Sequence, residues 1–230
     1  MAGDPEFRTV LEAAARLQEV LPDAVLVGGS AAAHYAGHRV SLDGDHVLGD
    51  LRERFDDVLA ALEQTEGWVT ARIRPQVLIL GKLDGVETGI RQLIRRRPLE
   101  VEQITLGDRP LRVPTLEEIL RIKSWLVLRR NSTRDYLDVV ALAARLGTPE
   151  AARVMVSMDD YYEDQVGPGG RRVATQLVKQ LADPAPYDVS EVDLAHYRKL
   201  EGRWRDWGNV VHQAQRLASE VLELLTDGDD

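Results

Sequence analysis

Two carboxylates at alternate positions are the residues of this chain whose types and spacing most clearly allow chemistry. Asp43 and Asp45 are separated only by Gly44 and are followed by an apolar run that is typical of a strand. In an extended strand, residues i and i+2 project to the same face, so the two carboxylates can face one cation. Because carboxylates that face each other repel, a close pair favours a cation between them. The pair also fits a polar turn at the start of a strand, but the repulsion and the apolar residues that follow favour a cation site at Asp43 and Asp45.

A glycine turn precedes these carboxylates. Gly28, Gly29 and Ser30 follow a short apolar strand and begin a predicted helix. Such a turn brings backbone amides close to an anion, and the glycines would let a phosphate approach the chain. The same residues also fit an ordinary tight turn in which Ser30 only caps the helix. A Walker phosphate loop is excluded because no Gly-Lys-Ser/Thr occurs here.

A third set of polar residues lies in the second half of the chain. Its members fall within sixteen positions: Lys123, Arg129, Arg130, Arg134, Asp135 and Asp138. Lys123 is predicted at the edge of a buried helix face, and Asp135 and Asp138 share one side of the next helix. Taken alone, the set fits exposed helical ion pairs as well as a site. His34 and His38 are also four apart, but Tyr35 stands where a zinc hydrolase carries its glutamate, so a structural or phosphate-facing role is favoured.

The composition bounds the class of protein. The 230 residues are 44% hydrophobic and 29% charged, which is typical of a globular chain. Without cysteine there are no disulfides or thiolate metal sites. No apolar run has the length of a membrane span, and we expect a cytoplasmic protein with no membrane partner. The net charge of -9 argues against nonspecific coating of nucleic acid, but a local basic surface is left open by six arginines: Arg91, Arg95, Arg96, Arg97, Arg109 and Arg112.

The elements that would position these residues divide into two regions. Apolar spacing predicts helices at 6–21, 30–35 and 50–66, and strands at 24–27, 43–48, 68–74, 76–80, 86–93, 99–106 and 111–113. From Pro114 the pattern is helical, with helices at 115–128, 134–146, 150–158, 171–182 and one or two more within 189–225. We therefore predict an α+β fold. Residues 1–113 form a mixed sheet with flanking helices, and residues 114–230 form a helical domain.

Read together and in order, these motifs resemble the AbiEii and MenT group of nucleotidyltransferase-like toxins, within the polymerase β-type nucleotidyltransferase superfamily. The matching pieces are Gly28-Gly29-Ser30, then 37–45, then Lys123 through Arg129 or Arg130 to Arg134-Asp135-Tyr136-Leu137-Asp138. The likeness spans residues 20–145. The glycine-serine and Asp-x-Asp pieces are shared by the whole superfamily, whereas the lysine, arginine and paired aspartates select this group.

The resemblance implies transfer of a nucleotide from an NTP to an RNA acceptor, with tRNA as the acceptor in toxins of this group and a cognate antitoxin protein as partner. Mg²⁺ or Mn²⁺ would be held by Asp43 and Asp45, and Lys123 and Asp138 would complete the catalytic set, Asp138 as metal ligand or base. The nucleotide would be bound by Gly28, Gly29, Ser30, Arg39, Lys123 and Arg130. On this interpretation, replacing Asp45 or Lys123 by alanine abolishes activity and leaves thermal stability nearly unchanged.

The sequence also departs from the superfamily pattern. A third carboxylate usually stands on a later strand, in the segment that matches 86–90, and it falls on or near Gly89; Glu87 shares only its face. Gly44 and His46 replace residues that are usually apolar. These departures leave open a nucleotide-binding protein without turnover, and a nucleotidyltransferase that acts on a small molecule such as an antibiotic.

Overall fold

The α+β prediction is confirmed by a computed structural model, which describes residues 4–166, 169–190 and 193–227. These residues form a five-stranded mixed sheet, a two-stranded hairpin and nine α-helices. By their contacts they divide into two compact units. The first contains residues up to 34 and 40–115, and the second contains 35–39 and 116 onward. The short segment 35–39 therefore belongs with the helical unit.

The first unit alternates helices and strands. Its elements are α1 (Pro5–Val20), β1 (Val25–Leu26), α2 (Gly28–Ala36, whose last residues join the second unit), β2 (Gly44–Leu48), α3 (Phe55–Glu63), β3 (Trp68–Arg74), β4 (Leu78–Leu83), β5 (Val86–Gln92), β6 (Val101–Leu106) and β7 (Arg109–Pro114).

The main sheet places the carboxylate strand between two partners. Its strand order is β1-β2-β5-β4-β3, in which β2 and β5 are parallel and the other pairs are antiparallel. Strands β6 and β7 form a separate antiparallel hairpin. Because a strand with neighbours on both sides has its backbone fixed by two ladders, β2 is a rigid support for the side chains it carries.

One face of the main sheet forms the core of this unit. Apolar side chains from α1, α3 and the strands cluster there: Leu17, Leu21, Ala24, Leu48, Leu51, Phe55, Val58, Leu62, Trp68, Ile79, Leu83 and Ile90. Since strand side chains alternate between faces, the residues between these on β2, β4 and β5 project from the opposite face. Asp45 is one of them.

The second unit is helical. Its helices are α4 (Leu116–Arg130), α5 (Thr133–Leu146), α6 (Thr148–Val156), α7 (Met158–Tyr162), α8 (Val173–Ala182) and α9 (Trp207–Asp227). Helix α5 packs against α4, α6 and α9, and α8 packs along α9. In the described ranges, no helix combines the length and apolar character needed to cross a bilayer.

Most element bounds agree with the sequence pattern, and two differ for visible reasons. The helix predicted over 50–66 is restricted to 55–63, and the residues before it form turns in which Asp50 and Arg54 make a bidentate ion pair of 2.7 and 2.8 Å. The strand predicted at 76–80 starts only at Leu78, because Gln76 adopts a φ of 61° in the preceding turn. Within the predicted 189–225 segment, residues 191–192 lie outside the described ranges.

His46 is a polar residue on the core face of β2. It is fully buried, and its Nδ1 lies 2.9 Å from the carbonyl oxygen of Gly44. Burial lowers the pKa of His46 to about 4, so the imidazole is neutral at pH 7 and donates this hydrogen bond. Protonation of His46 is therefore unfavourable in the folded state.

We predict that replacing His46 by leucine flattens the pH dependence of stability between pH 6.5 and 4. The unfolded chain binds the histidine proton near pH 6.5 and the folded chain only near pH 4, so the wild-type free energy of unfolding falls as the pH is lowered through this window. The contribution of this one residue is at most about 3 kcal/mol.

The measurement is urea unfolding of wild type and His46→Leu at several pH values, with the exposed His196→Asn as control. The control should follow the wild-type curve. An unchanged slope in His46→Leu would contradict the assignment.

Candidate functional site

The carboxylate of Asp45 lies in a notch between two glycines. Gly28 has a φ of 72°, and a Cβ built on it would lie 3.1 Å from Asp45 Oδ2. A Cβ built on Gly89, which pairs with Asp45 across β2 and β5, would lie 2.8 Å from Asp45 Oδ1. Because real Cβ atoms are not found that close to an oxygen, Gly89 cannot carry a side chain unless Asp45 moves. The two glycines therefore make the space that the Asp45 carboxylate fills.

The backbone around Asp43 and Asp45 is tied to the glycine turn. The carbonyl of Asp45 accepts a hydrogen bond of 2.7 Å from the Val27 amide, just before α2. The buried hydroxyl of Ser30 donates to the carbonyl of Asp43 at 2.6 Å. Ser30 thus holds Asp43 in place, and the predicted contact of Gly28, Gly29 and Ser30 with phosphate stays a prediction.

A glycine occupies the position that carries a third carboxylate in the superfamily pattern. Gly89 is directly opposite Asp45. Glu87 is exposed on the same face of β5, and its carboxylate lies 3.6 Å from the ammonium of Lys82 on β4. In the described ranges, no group of three or more acidic or histidine side chains could hold a metal ion. The site therefore offers two carboxylates.

The sheet face around Asp45 is basic. Arg91, two residues beyond Gly89 on the same face of β5, places its Nε 3.8 Å from Asp45 Oδ1. The register carries two further arginines onto this face, since Arg72 pairs with Leu80 and Arg74 with Leu78. Arg91 and Asp45 are both partly exposed, with 43% and 35% of their side chains accessible. At such a surface an ion pair is weak, so the Arg91 guanidinium can also meet an anion.

The two carboxylates fit one hydrated magnesium ion. Mg²⁺ is usually bound by one or two carboxylates together with substrate phosphates and water, and Asp43 is exposed while Asp45 is half-exposed. Two metal ions would need further oxygen ligands, and Gly89 supplies none. The chemistry of the residues present is therefore compatible with a single Mg²⁺ ion, and binding of that ion stays a prediction.

A second group of charged residues is buried in the helical unit, and we call it the Asp138 cluster: His38, Arg39, Lys123, Asp135 and Asp138. The Asp138 carboxylate accepts hydrogen bonds from His38 Nε2 at 2.7 Å and from Arg39 Nε and Nη2 at 2.9 and 3.1 Å. Lys123 Nζ lies 2.6 Å from Asp138 Oδ2 and 3.8 Å from Asp135 Oδ1. Two cationic side chains thus face two carboxylates in a space without solvent.

The electrostatics of this cluster keep Asp138 ionised. Burial alone would raise the pKa of Asp138, but the charges of Arg39 and Lys123 and the hydrogen bond from His38 hold it well below its usual value. Burial lowers the pKa of His38 despite its contact with Asp138. The imidazole is therefore neutral, and its Nε2 carries the proton that Asp138 accepts.

Of the remaining predicted site residues, three are buried and one is exposed. Lys123, Asp138 and Arg39 have at most a tenth of their side chains exposed, and each is engaged within the Asp138 cluster. Arg130 is exposed at the last residue of α4. Their predicted roles toward a nucleotide stay predictions. In the arrangement seen, Lys123 and Arg39 neutralise Asp138, and a phosphate would have to replace that carboxylate to reach them.

His38, Arg39 and Arg91 are named in the sequence analysis, but the contacts that they make are not predicted there. His38 and Arg39 pair with Asp138 across a hundred positions, and no local pattern signals that contact. Arg91 was seen only as one of several clustered arginines. Its signal was available, because a residue two positions from Gly89 on a strand paired with β2 shares the face of Asp45.

Curated proteins similar in sequence match only through part of their length. The chain is 34% identical over 235 residues to the heme uptake protein MmpL11 of Mycobacterium tuberculosis, and 39% identical over 131 residues to the mycolic acid-containing lipids exporter MmpL11 of Mycolicibacterium smegmatis. These alignments cover 95% and 56% of this chain but 23% and 13% of the relatives. The chain spans less than a quarter of the length of these relatives, so they do not define its family. No protein-family model matches.

Solved structures that resemble this fold come from nucleotidyltransferase-like proteins. They include the antibiotic-resistance factor ANT(2'')-Ia, at 12% identity and a TM-score of 0.49, covering 69% of this chain and 94% of that one. An antigenic nucleotidyltransferase-like protein from Paracoccidioides brasiliensis gives 18% identity and 0.47, covering 75% and 92%. A candidate nucleotidyltransferase from H. pylori gives 14% and 0.49, covering 95% and 96%. Likeness at this level assigns no activity to this chain.

We predict that Lys123→Ala lowers the free energy of unfolding by about 3 kcal/mol or more, since it leaves buried carboxylates without their ammonium. This replaces the expectation that the substitution leaves stability nearly unchanged. Arg130→Ala removes an equal charge from an exposed position of the same helix and should change the free energy by no more than about 0.5 kcal/mol.

Urea unfolding of the two variants and wild type provides the measurement. Equal stabilities for Lys123→Ala and Arg130→Ala would show that the ion pairs of the Asp138 cluster do not hold the helical unit together.

Proposed function

We propose that the first unit binds an NTP with one Mg²⁺ ion at Asp43 and Asp45 and transfers its nucleotide to an RNA acceptor. The observation that carries the proposal is the Asp45 carboxylate, half-exposed and seated between Gly28 and Gly89 at the start of α2. A strand carboxylate that needs two glycines to fit is a costly arrangement for a merely solvated surface. It is well suited to holding a cation against the sheet.

The residues around this carboxylate can divide the work of phosphoryl chemistry. Asp43 and Asp45 would hold the ion, which would neutralise charge on the triphosphate. The acceptor hydroxyl attacks the α-phosphorus and loses its proton to water, and the bond from that phosphorus to the departing pyrophosphate breaks. Arg91 lies next to Asp45 and can bind a phosphate oxygen. The amino end of α2, opened by Gly28 and Gly29, faces an anion favourably through its backbone dipoles. These groups would stabilise negative charge without reorganising.

The RNA acceptor, the tRNA in particular and the toxin role with an antitoxin partner extend the proposal through the resemblance of motifs. Asp43-Gly44-Asp45 and Lys123 through Asp138 carry that resemblance. The basic face formed by Arg72, Arg74 and Arg91 supports a polyanionic acceptor despite the net charge of -9. On this proposal, cytoplasmic RNA is the substrate.

One observation favours a second function, nucleotide binding without transfer. Gly89 lies opposite Asp45, and the Asp45 carboxylate occupies the space that a side chain at position 89 would take. A site with two carboxylates in place of three can bind Mg²⁺ and nucleotide while aligning the acceptor poorly. Binding and turnover therefore have to be measured separately.

We predict label transfer from at least one α-³²P-labelled NTP to total tRNA in the presence of Mg²⁺, and a decrease of roughly a hundredfold or more in Asp45→Asn. The substitution keeps the size of the side chain but removes its charge, so nucleotide-borne Mg²⁺ loses a ligand. Glu63→Gln is the matched control, because it neutralises an exposed carboxylate on α3, which packs on the core face of the sheet.

Gel separation of the RNA gives the amount of label transferred, and calorimetric titration with each Mg²⁺-NTP gives binding. Binding that depends on Asp45 without label transfer would favour the second function. The absence of both nucleotide binding and label transfer would overturn both proposed functions.

A further inference from the structure

A cavity of about 410 Å³ lies in the first unit, apart from the carboxylates but on the same side of the sheet. Val47 lines it, and Val47 is two residues beyond Asp45 on β2 and pairs with Val25, which also lines it. Residues that alternate along a strand share a face, so the cavity continues the face that carries Asp45. Its volume lies in the range of small-ligand sites.

The lining of this cavity is strongly basic. Four arginines and one carboxylate are among its described lining residues: Arg52, Arg95, Arg96, Arg112 and Asp23. Asp23 is itself 71% exposed, and one of its oxygens lies 3.7 Å from Arg54, which does not line the cavity. The lining of this cavity is therefore positively charged, whereas the chain as a whole has a net charge of -9. A cavity lined by one sign of charge attracts the opposite charge.

Two of these arginines are held in place. Arg95 is 4% exposed, and its Nε and Nη2 donate to the carbonyls of Arg97 and Pro98 at 3.0 and 3.1 Å. The backbone of Arg112 is fixed by Gln18, whose side chain accepts from its amide at 2.7 Å and donates to its carbonyl at 3.0 Å. The Arg95 guanidinium is therefore fixed at the cavity, and the fixed backbone of Arg112 holds the base of its side chain there, which lowers the entropic cost of binding an anion.

The rest of the lining is apolar. Val25, Val47, Leu93, Leu99 and Val101 provide aliphatic surface beside the arginines. A simple inorganic anion uses only the charged part of such a cavity. A ligand with a phosphate at one end and a flat aromatic ring at the other uses both, since the face of such a ring packs on aliphatic side chains, and the volume accommodates a single nucleotide.

We propose that this cavity binds a nucleoside monophosphate unit, with its phosphate on Arg52 and Arg112 and its base or sugar against the valine and leucine side chains. Two sources share this chemistry, a free nucleotide and the terminal nucleotide of an RNA chain. The role of this cavity as an acceptor site rests on the proposed function, because RNA bound here would lie along the sheet face that carries Asp45. Binding of a nucleotide in the cavity does not depend on that function.

The test is calorimetric titration in EDTA, where binding that needs a divalent ion at Asp43 and Asp45 is absent. The probes are AMP, CMP, GMP and UMP, inorganic phosphate, and single-stranded RNA tetranucleotides with each of the four 3′-terminal bases. Wild type should bind at least one monophosphate more tightly than inorganic phosphate. The double variant Arg52→Ala/Arg112→Ala should bind it at least about tenfold more weakly. A tetranucleotide that binds more tightly than its monophosphate identifies the RNA end as the source, and the reverse identifies the free nucleotide.

The matched control is Arg8→Ala/Arg109→Ala, which removes the same charge from two exposed arginines that pair with Glu12 and Glu19 outside the cavity. Asp45→Asn should bind as wild type does. Equal weakening in both double variants, loss of binding in Asp45→Asn, or no binding of any probe to wild type would overturn the proposal. Binding that persists in a protein without label transfer would refute the proposed function and leave this site standing.

Discussion

The space between Gly28 and Gly89 that the Asp45 carboxylate occupies is the constraint around which this part of the first unit is arranged. Asp45 projects from a strand with neighbours on both sides, and its oxygens occupy the space that side chains at Gly28 and Gly89 would need. The left-handed φ of Gly28 starts α2 at this point, and Ser30 returns to hold the carbonyl of Asp43. Turn, helix start and strand register are therefore coupled to one side chain. A side chain at Gly89 would require the Asp45 carboxylate to move, and at Gly28 the left-handed φ would also strain any other residue.

The charged residues of the two units are used in different physical ways. In the Asp138 cluster, Lys123 and Arg39 are buried against Asp138, so removing one partner is costly and an external anion has to displace that carboxylate. Beside Asp45, the Arg91 guanidinium is partly exposed and its nitrogen lies 3.8 Å from the carboxylate. Groups of the second kind can bind a ligand without first breaking the fold. The proposed binding chemistry therefore lies in the first unit. We expect Lys123 to stabilise the helical unit, and the predicted roles of Lys123 and Asp138 toward a nucleotide stay predictions.

The sequence predicts the fold class and the strand that carries Asp45, because periodicity and alternation are local. That Asp43 shares the face of Asp45 stays a prediction, since β2 begins only at Gly44. The sequence also indicates Gly89 as the position of the missing acid, which the register places opposite Asp45. It does not predict that His38 and Arg39 neutralise Asp138, since that contact joins segments a hundred residues apart. For the same reason the sequence does not predict that arginines within 91–112 line a cavity. Nor does it predict that Arg52, on a turn before α3, lines the same cavity. Burial of Lys123 was similarly underestimated, because helical spacing identifies a face but not what covers it.

The most direct test of the central claim is paramagnetic broadening of backbone amide signals by Mn²⁺, titrated with each NTP in turn. If Asp43 and Asp45 hold the ion, the amides of residues 28–30, 43–47 and 89–91 broaden selectively, those of α3 are little affected, and the pattern is lost in Asp45→Asn. Broadening centred on other residues, or an identical pattern in Asp45→Asn, would show that Asp43 and Asp45 do not form the cation site.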